Sequence, residues 1–264
     1  MLLCVFGDVH GNAQALEAVL EDARHFAPEL YVCTGDVVPG LGSPCATVDA
    51  VVALGAPWVT GNGEQWVLDA PGYARDPSTP QGRMVAWTRE QLGPERLARL
   101  RGLPQGLVLR LGAAGAVWVA HGAPPDTIQP GIRPTGLHEW TGVLEDSEVA
   151  RTLGEPAPGL LLCGHTHIAT VRRIGATLLV NPGSTGMGVH PDAPARYQRG
   201  NAWARYALLR WSPAEGWRAQ TRRVPYPVDA AQALLDGLPW ADAGERARLQ
   251  SHFGAPESPG DDPT

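Results

Sequence analysis

Lysine is absent from this chain, and all 21 of its basic residues are arginine. That excludes a Schiff-base lysine and the lysine of a phosphate-binding P-loop. Cysteine is scarce. Cys4, Cys33, Cys45 and Cys163 form no CxxC pair, which excludes a zinc module built on cysteines. Three of them sit inside apolar runs, as buried reduced thiols do. No apolar run approaches the roughly 20 residues of a membrane span. The opening MLLCVFGDVHG has no basic leader and turns polar at Gly7, unlike a signal peptide. The expectation is a cytoplasmic protein without a membrane partner. Positive charge is not in excess: the net charge is -6, which speaks against a general nucleic-acid-binding surface. Nothing here reads out oligomeric state.

What the chain does have is core and punctuation: 264 residues, 44% of them hydrophobic, with 32 Gly and 25 Pro. The first part alternates apolar runs with helical patterns. Strands are expected at residues 2–7, 30–35 and 56–61. Asn12 is placed to cap a helix after the first strand, and Gly55 to close a second helix. Alternating strand and helix argue for parallel pairing with right-handed crossovers. VTGNGEQW (Val59 to Trp66) reads as a strand end followed by a polar turn. Helical sequence follows, with Pro94 suited to the start of a new helix. Beyond it come strands at LVLRL, AVWVAHG, GLLLCGH, ATVRRI, TLLVNPG, ARYALLRW and WRAQTRRV, several with hairpin-short connections. Two more helices lead to a polar tail, residues 254–264, expected to lack fixed structure. The candidate site residues run from Asp8 to His167, so residues 1–253 are expected to form one domain.

Polar residues collect where these strands stop. Asp8 and His10 follow the first strand, Asp36 the second and Asn62 the third. His121 ends AVWVA, and His165 and His167 follow GLLLC. His165 and His167 are two apart, so in an extended segment they would share one side. In open α/β sheets ligands bind beyond the carboxyl ends of the strands, so these seven residues suggest a shared rim. Mixed imidazole and carboxylate donors suit borderline cations such as Mn, Fe, Zn or Ni. Two such ions need a bridging carboxylate, for which Asp36 is the natural choice, and together they can clamp a phosphoryl oxygen and activate a water.

In order, GDVHG, GD, GN, HG and GHTH resemble the calcineurin-like metallophosphoesterase superfamily, especially its small bacterial and archaeal phosphodiesterase branch. The likeness covers about the first 210 residues. It implies an α/β fold, a four-layer αββα sandwich of two mixed β-sheets flanked by helices, with a dinuclear metal site at strand C-terminal ends. It assigns Asp8, His10, Asp36 and His167 to one ion, and Asp36, Asn62, His121 and His165 to the other, with Mn as the first choice of metal. Asp36 as bridge, Asn62 and His121 would carry catalysis. The implied reaction is hydrolysis of a small phosphodiester by attack of a metal-bridging hydroxide, with phosphomonoesters and nucleotides as further substrates. Many relatives have GNHD or GNHE as the third motif. Here Gly63 stands at the histidine position, so an acid that would help the leaving group is missing. Glu64, Asn181, Ser184, Arg133, His138 and His190 are candidates for contacts to substrate or for supporting the metal ligands. His138 or His190 could replace the missing acid.

Two other readings compete. Protein phosphatases and dinucleoside polyphosphate hydrolases of the superfamily usually carry GDxVDRG, whereas this chain reads GDVVPGLG. A non-catalytic metal-binding interaction scaffold, like a eukaryotic retromer subunit that resembles this branch, would not need to keep all seven donors.

Overall fold

The computed structural model describes residues 1–69, 76–122, 146–153, 157–188 and 203–251. The expected tail and the candidates Arg133, His138 and His190 lie outside these residues.

Two mixed sheets organise the chain. The first has the order β2-β1-β8-β9. β1 (Leu2–Phe6) pairs parallel with β2 (Leu30–Cys33) and antiparallel with β8 (Trp203–Ser212), which forms a hairpin with β9 (Gly216–Pro225). The second has the order β3-β4-β5-β7-β6. Its strands are β3 (Gly106–Arg110), β4 (Ala116–Ala120), β5 (Leu160–Leu162), β6 (Thr170–Ile174) and β7 (Thr177–Asn181). β4, β5 and β7 run parallel, and the two edge strands pair antiparallel.

The period-2 alternation of strand side chains produces the layers. Leu3 and Val5 point inward from β1. They share a core with Ala207 and Leu209 of β8, and with Val117, Val119, Leu160, Leu162 and Val180 of the second sheet. Leu2, Cys4 and Phe6 point the other way, into helices. Those helices are α1 (Ala13–Arg24), α2 (Pro44–Ala53), α4 (Pro80–Arg101), α6 (Val228–Asp236) and α7 (Ala243–Ser251). On the far face of the second sheet, Trp118, Leu161 and Leu179 meet Val149 and Leu153 of α5 (Asp146–Leu153). Helix, sheet, sheet, helix is the order the sequence implies. No helix among the described residues is long and apolar enough to cross a membrane.

Two local expectations need correction. The third strand shrinks to a bridge, Trp58 beside Cys33. Cys33 N–H donates to Pro57 O at 2.9 Å and Val59 N–H to Cys33 O at 3.3 Å, but Thr60 N–H already turns to Pro104 O at 2.8 Å. The polar turn expected after it is instead a helix, α3 (Asn62–Asp69). Glu64 reaches back to accept from Gly61 N–H at 2.7 Å, the acidic half of a capping box. α4 is two helices merged across a kink. Gly93 takes φ 65° and ψ 177°, so Pro94 opens a new helix as its sequence suggests.

Candidate metal centre

The seven candidate donors meet where both sheets end. Asp8 and His10 follow β1, Asp36 follows β2 and Asn62 opens α3. His121 follows β4, and His165 and His167 follow β5. Backbone hydrogen bonds lace these strand ends together. Asp8 N–H donates to Gly35 O at 2.9 Å, His10 N–H to Asp36 O at 3.0 Å and Gly164 N–H to His121 O at 2.7 Å. The two sheets are joined at Asp8, whose carboxylate accepts from His165 N–H at 3.1 and 3.2 Å.

The backbone here is unusual. Among the described residues, six other than glycine have positive φ: Asp8, His10, Ala27, Asp36, His165 and His167. Five of the six are candidate donors. Such angles cost free energy and cluster at functional sites. They also overturn the expectation that His165 and His167 share a side of an extended segment. With φ 73° and 60°, the left-handed turns send the two rings into different clusters. Gly35 is needed for its lack of a side chain as well as its φ of 99°: a Cβ there would lie 2.9 Å from His121 Nδ1.

The donors form two groups. Ligand atoms of Asp8, His10 and His167 lie within 4.8 Å of one another, as do those of Asp36, His121 and His165. Asn62 Oδ1 joins the second group, 2.8 Å from His165 Nδ1 and 3.2 Å from His121 Nε2. Asp36 Oδ2 faces both groups, 3.3 Å from His121 Nε2 and 3.8 Å from His10 Nε2.

Ring tautomers show what such a cluster can hold. His10 Nδ1 is 3.1 Å from Pro39 O and His167 Nδ1 is 2.7 Å from Gly188 O. A carbonyl only accepts, so each Nδ1 must carry the proton. The two Nε2 atoms lie 3.1 Å apart, and in neutral rings both present lone pairs. His121 repeats the pattern, with Nδ1 donating to Thr34 O at 2.8 Å and Nε2 facing carboxylate and amide oxygens. Lone pairs converging on one point suit a cation, and carbonyl-oriented imidazoles beside carboxylates are a common metal-ligand arrangement. The donor set therefore fits divalent transition metals.

Electrostatics agree. Burial raises Asp8 to about 6, against the pull of His121. Burial lowers His10 despite Asp36. Burial would also lower His121, but Asp36 and Asp8 together raise it to about 10. Burial works to raise Asp36, yet His121 and His10 hold it well below the usual carboxylate range.

The supporting candidates are placed as follows. Glu64 is 0% exposed, and both its oxygens accept backbone N–H groups, so it is not positioned to touch a substrate. Asn181 donates to Gly164 O at 2.8 Å and Thr166 Oγ1 at 3.1 Å, and accepts from Gly183 N–H at 2.9 Å. Its hydrogen bonds hold the loop that carries His165 and His167, leaving no donor for a phosphate. Ser184 donates to Asp8 O at 2.8 Å and accepts from Met187 N–H at 2.9 Å. Asn12, read only as a cap, does that through Oδ1 while its Nδ2 donates to Gly186 O at 2.9 Å. The carbonyls of Thr34, Pro39 and Gly188 that orient the histidines left no side-chain signal to read. Gly63 is more than a missing side chain, since a Cβ there would sit 2.1 Å from Val38 O and 2.9 Å from Pro39 Cδ.

Comparison with known proteins gives a consistent picture. A family model described as calcineurin-like phosphoesterase superfamily domain matches residues 1–198. An uncharacterized protein of Methanocaldococcus jannaschii is 27% identical over 238 residues, spanning 87% of this chain and 90% of that protein. A metallophosphoesterase from Sphaerobacter thermophilus superposes with a TM-score of 0.64 at 24% identity, over 96% of this chain and 100% of its own. A hypothetical protein from Pyrococcus horikoshii reaches a TM-score of 0.72 at 22% identity, over 96% and 98%.

Proposed function

Because the chain belongs to the calcineurin-like phosphoesterase superfamily, we propose that it hydrolyses small phosphodiesters with two divalent transition-metal ions. Mn is the first choice of metal, and phosphomonoesters and nucleotides are further candidate substrates. The observation that carries this reading is the convergence of seven donors into two adjoining groups, with Asp36 Oδ2 facing both. In this reading Asp8, His10 and His167 would hold one ion and Asn62, His121 and His165 the other, with Asp36 placed to serve both. When bound, such ions supply Lewis acidity toward a phosphoryl oxygen and lower the pKa of a water for in-line attack.

The protein's own groups do the rest. Hydrogen bonds from Nδ1 of His10, His121 and His167 to backbone carbonyls fix the rings, so little reorganisation is needed when the ions bind. Asn62 Oδ1 lies between His121 and His165. Gly63 offers no side chain to protonate a departing oxygen, so in this reading that oxygen leaves as an anion or takes its proton from solvent, unless His138 or His190 replaces the missing acid. Diesters come first because of the sequence likeness to the phosphodiesterase branch.

The test is a hydrolysis panel with Mn, Zn and Ni over aryl diesters, aryl monoesters, cyclic nucleotides and 5′-nucleotides. Aryl diesters should be cleaved fastest, with rates falling steeply as the leaving group becomes more basic. A flat dependence would refute the missing-acid reading. Asp36→Ala should lower kcat by roughly 10³-fold or more, taking several kcal/mol for the two-ion contribution. Full activity there would contradict the two-ion mechanism. Metal uptake without hydrolysis of any substrate would favour the scaffold instead.

A further inference from the structure

We propose that Glu64 is a positioning residue for the Asp36 carboxylate, and that with Gly63 it clamps the first turn of α3 onto the loop after β2. The proposal rests on the reading of Asp36 as the bridging carboxylate. A helix-capping glutamate would need only Gly61 N–H, but Glu64 takes four backbone donors. Its Oε1 accepts from Val37 N–H at 2.7 Å and Val38 N–H at 3.2 Å. Its Oε2 accepts from Asp36 N–H at 3.0 Å and Gly61 N–H at 2.7 Å. Three consecutive amides of another segment thus converge on one buried side chain. Residues 36–38 lie in neither a strand nor a helix, so no regular ladder takes up these N–H groups and the carboxylate helps set the backbone there, including the φ of 52° at Asp36.

Gly63 completes the clamp. Its N–H donates to Asp36 Oδ1 at 2.7 Å, while Asp36 Oδ2 faces His121 and His10. The two oxygens are thereby divided: one is held by the helix and the other is presented to both donor groups. So close an approach requires glycine, because a Cβ at 63 would meet Val38 O at 2.1 Å. The residue that looks like a lost histidine and the glutamate beside it are two halves of one device.

Glu64→Gln tests this, since it keeps the length but sets an amide NH₂ against two N–H donors. Mn(II) binding by calorimetry should weaken roughly tenfold or more, as losing a group that orients a metal ligand does. At saturating Mn(II) the KM for bis(p-nitrophenyl) phosphate should stay unchanged, and raising Mn(II) should restore part of kcat. Gly63→Ala leaves Glu64 intact but displaces Val38, and should show the same weakening. In the wild type, the Val37 and Val38 amides should exchange slowly with solvent deuterium, and fast exchange would overturn the clamp even if neither variant folds. Variants that lose thermal stability yet keep wild-type Mn(II) affinity and stoichiometry would overturn the clamp alone. A wild type that binds no Mn(II) would overturn the two-ion reading and the clamp with it.

Discussion

At the scale of single residues, chemistry and conformation were unequally visible. Aspartate, asparagine and histidine at strand ends announce metal donors by type. That five of them adopt positive φ is not written in their identities, because such angles are imposed by surrounding hydrogen bonds. Gly63 carries the sharpest residue-scale prediction. Restoring the histidine common in relatives, Gly63→His, should lower activity, because its Cβ would collide with Val38 O and move the segment bearing Asp36. Overpacking of this kind costs about 1–3 kcal/mol. It should appear as a lower urea midpoint at an unchanged m-value, together with a fall in kcat. A His variant faster than wild type would mean that the loop yields easily and that an acid alone was lacking.

At the scale of elements, the sequence was most legible where short apolar runs were bounded by turn residues. The strands of the second sheet and the β8–β9 hairpin lie where those runs put them, and the helix break at Gly93 was visible from Pro94. α3 was not legible, since Gly-Asn-Gly reads as a breaker and the carboxylate that stabilises the helix start follows it. The third strand failed because Pro57 has no N–H and the chain leaves the sheet after Val59. Elements are also tied by charge. On α1, Asp22 accepts from Arg222 Nε of β9 at 3.0 Å and from the Tyr206 hydroxyl of β8. Partial burial would raise Asp22, but these hydrogen bonds outweigh it and hold its pKa below the ordinary value. A folded pKa below the unfolded one contributes stability above the unfolded pKa, about 3.9, which is lost as pH falls through the folded value. Thermal melts from pH 6 to pH 2 should therefore show wild type converging on Asp22→Asn at the acid end. A constant gap would mean that the ion pair contributes nothing to the pH dependence.

At the scale of the whole molecule, the placement of the donors has a kinetic consequence. Asp8 and Asp36 belong to one sheet, His121, His165 and His167 to the other, and Asp8 bonds to His165 N–H across the seam. Groups 157 positions apart in the chain meet only after both sheets have formed and docked, and such distant closures come late in folding. Ions held by both sheets would then stabilise the native state and leave the folding transition state nearly untouched. Their free energy should appear as slower unfolding, with the refolding rate unchanged. Stopped-flow unfolding in urea with and without EDTA would measure this, and an equal effect on both limbs would place the seam in the folding nucleus. The centre inferred to cleave substrate would thus double as a latch whose removal shortens the lifetime of the fold.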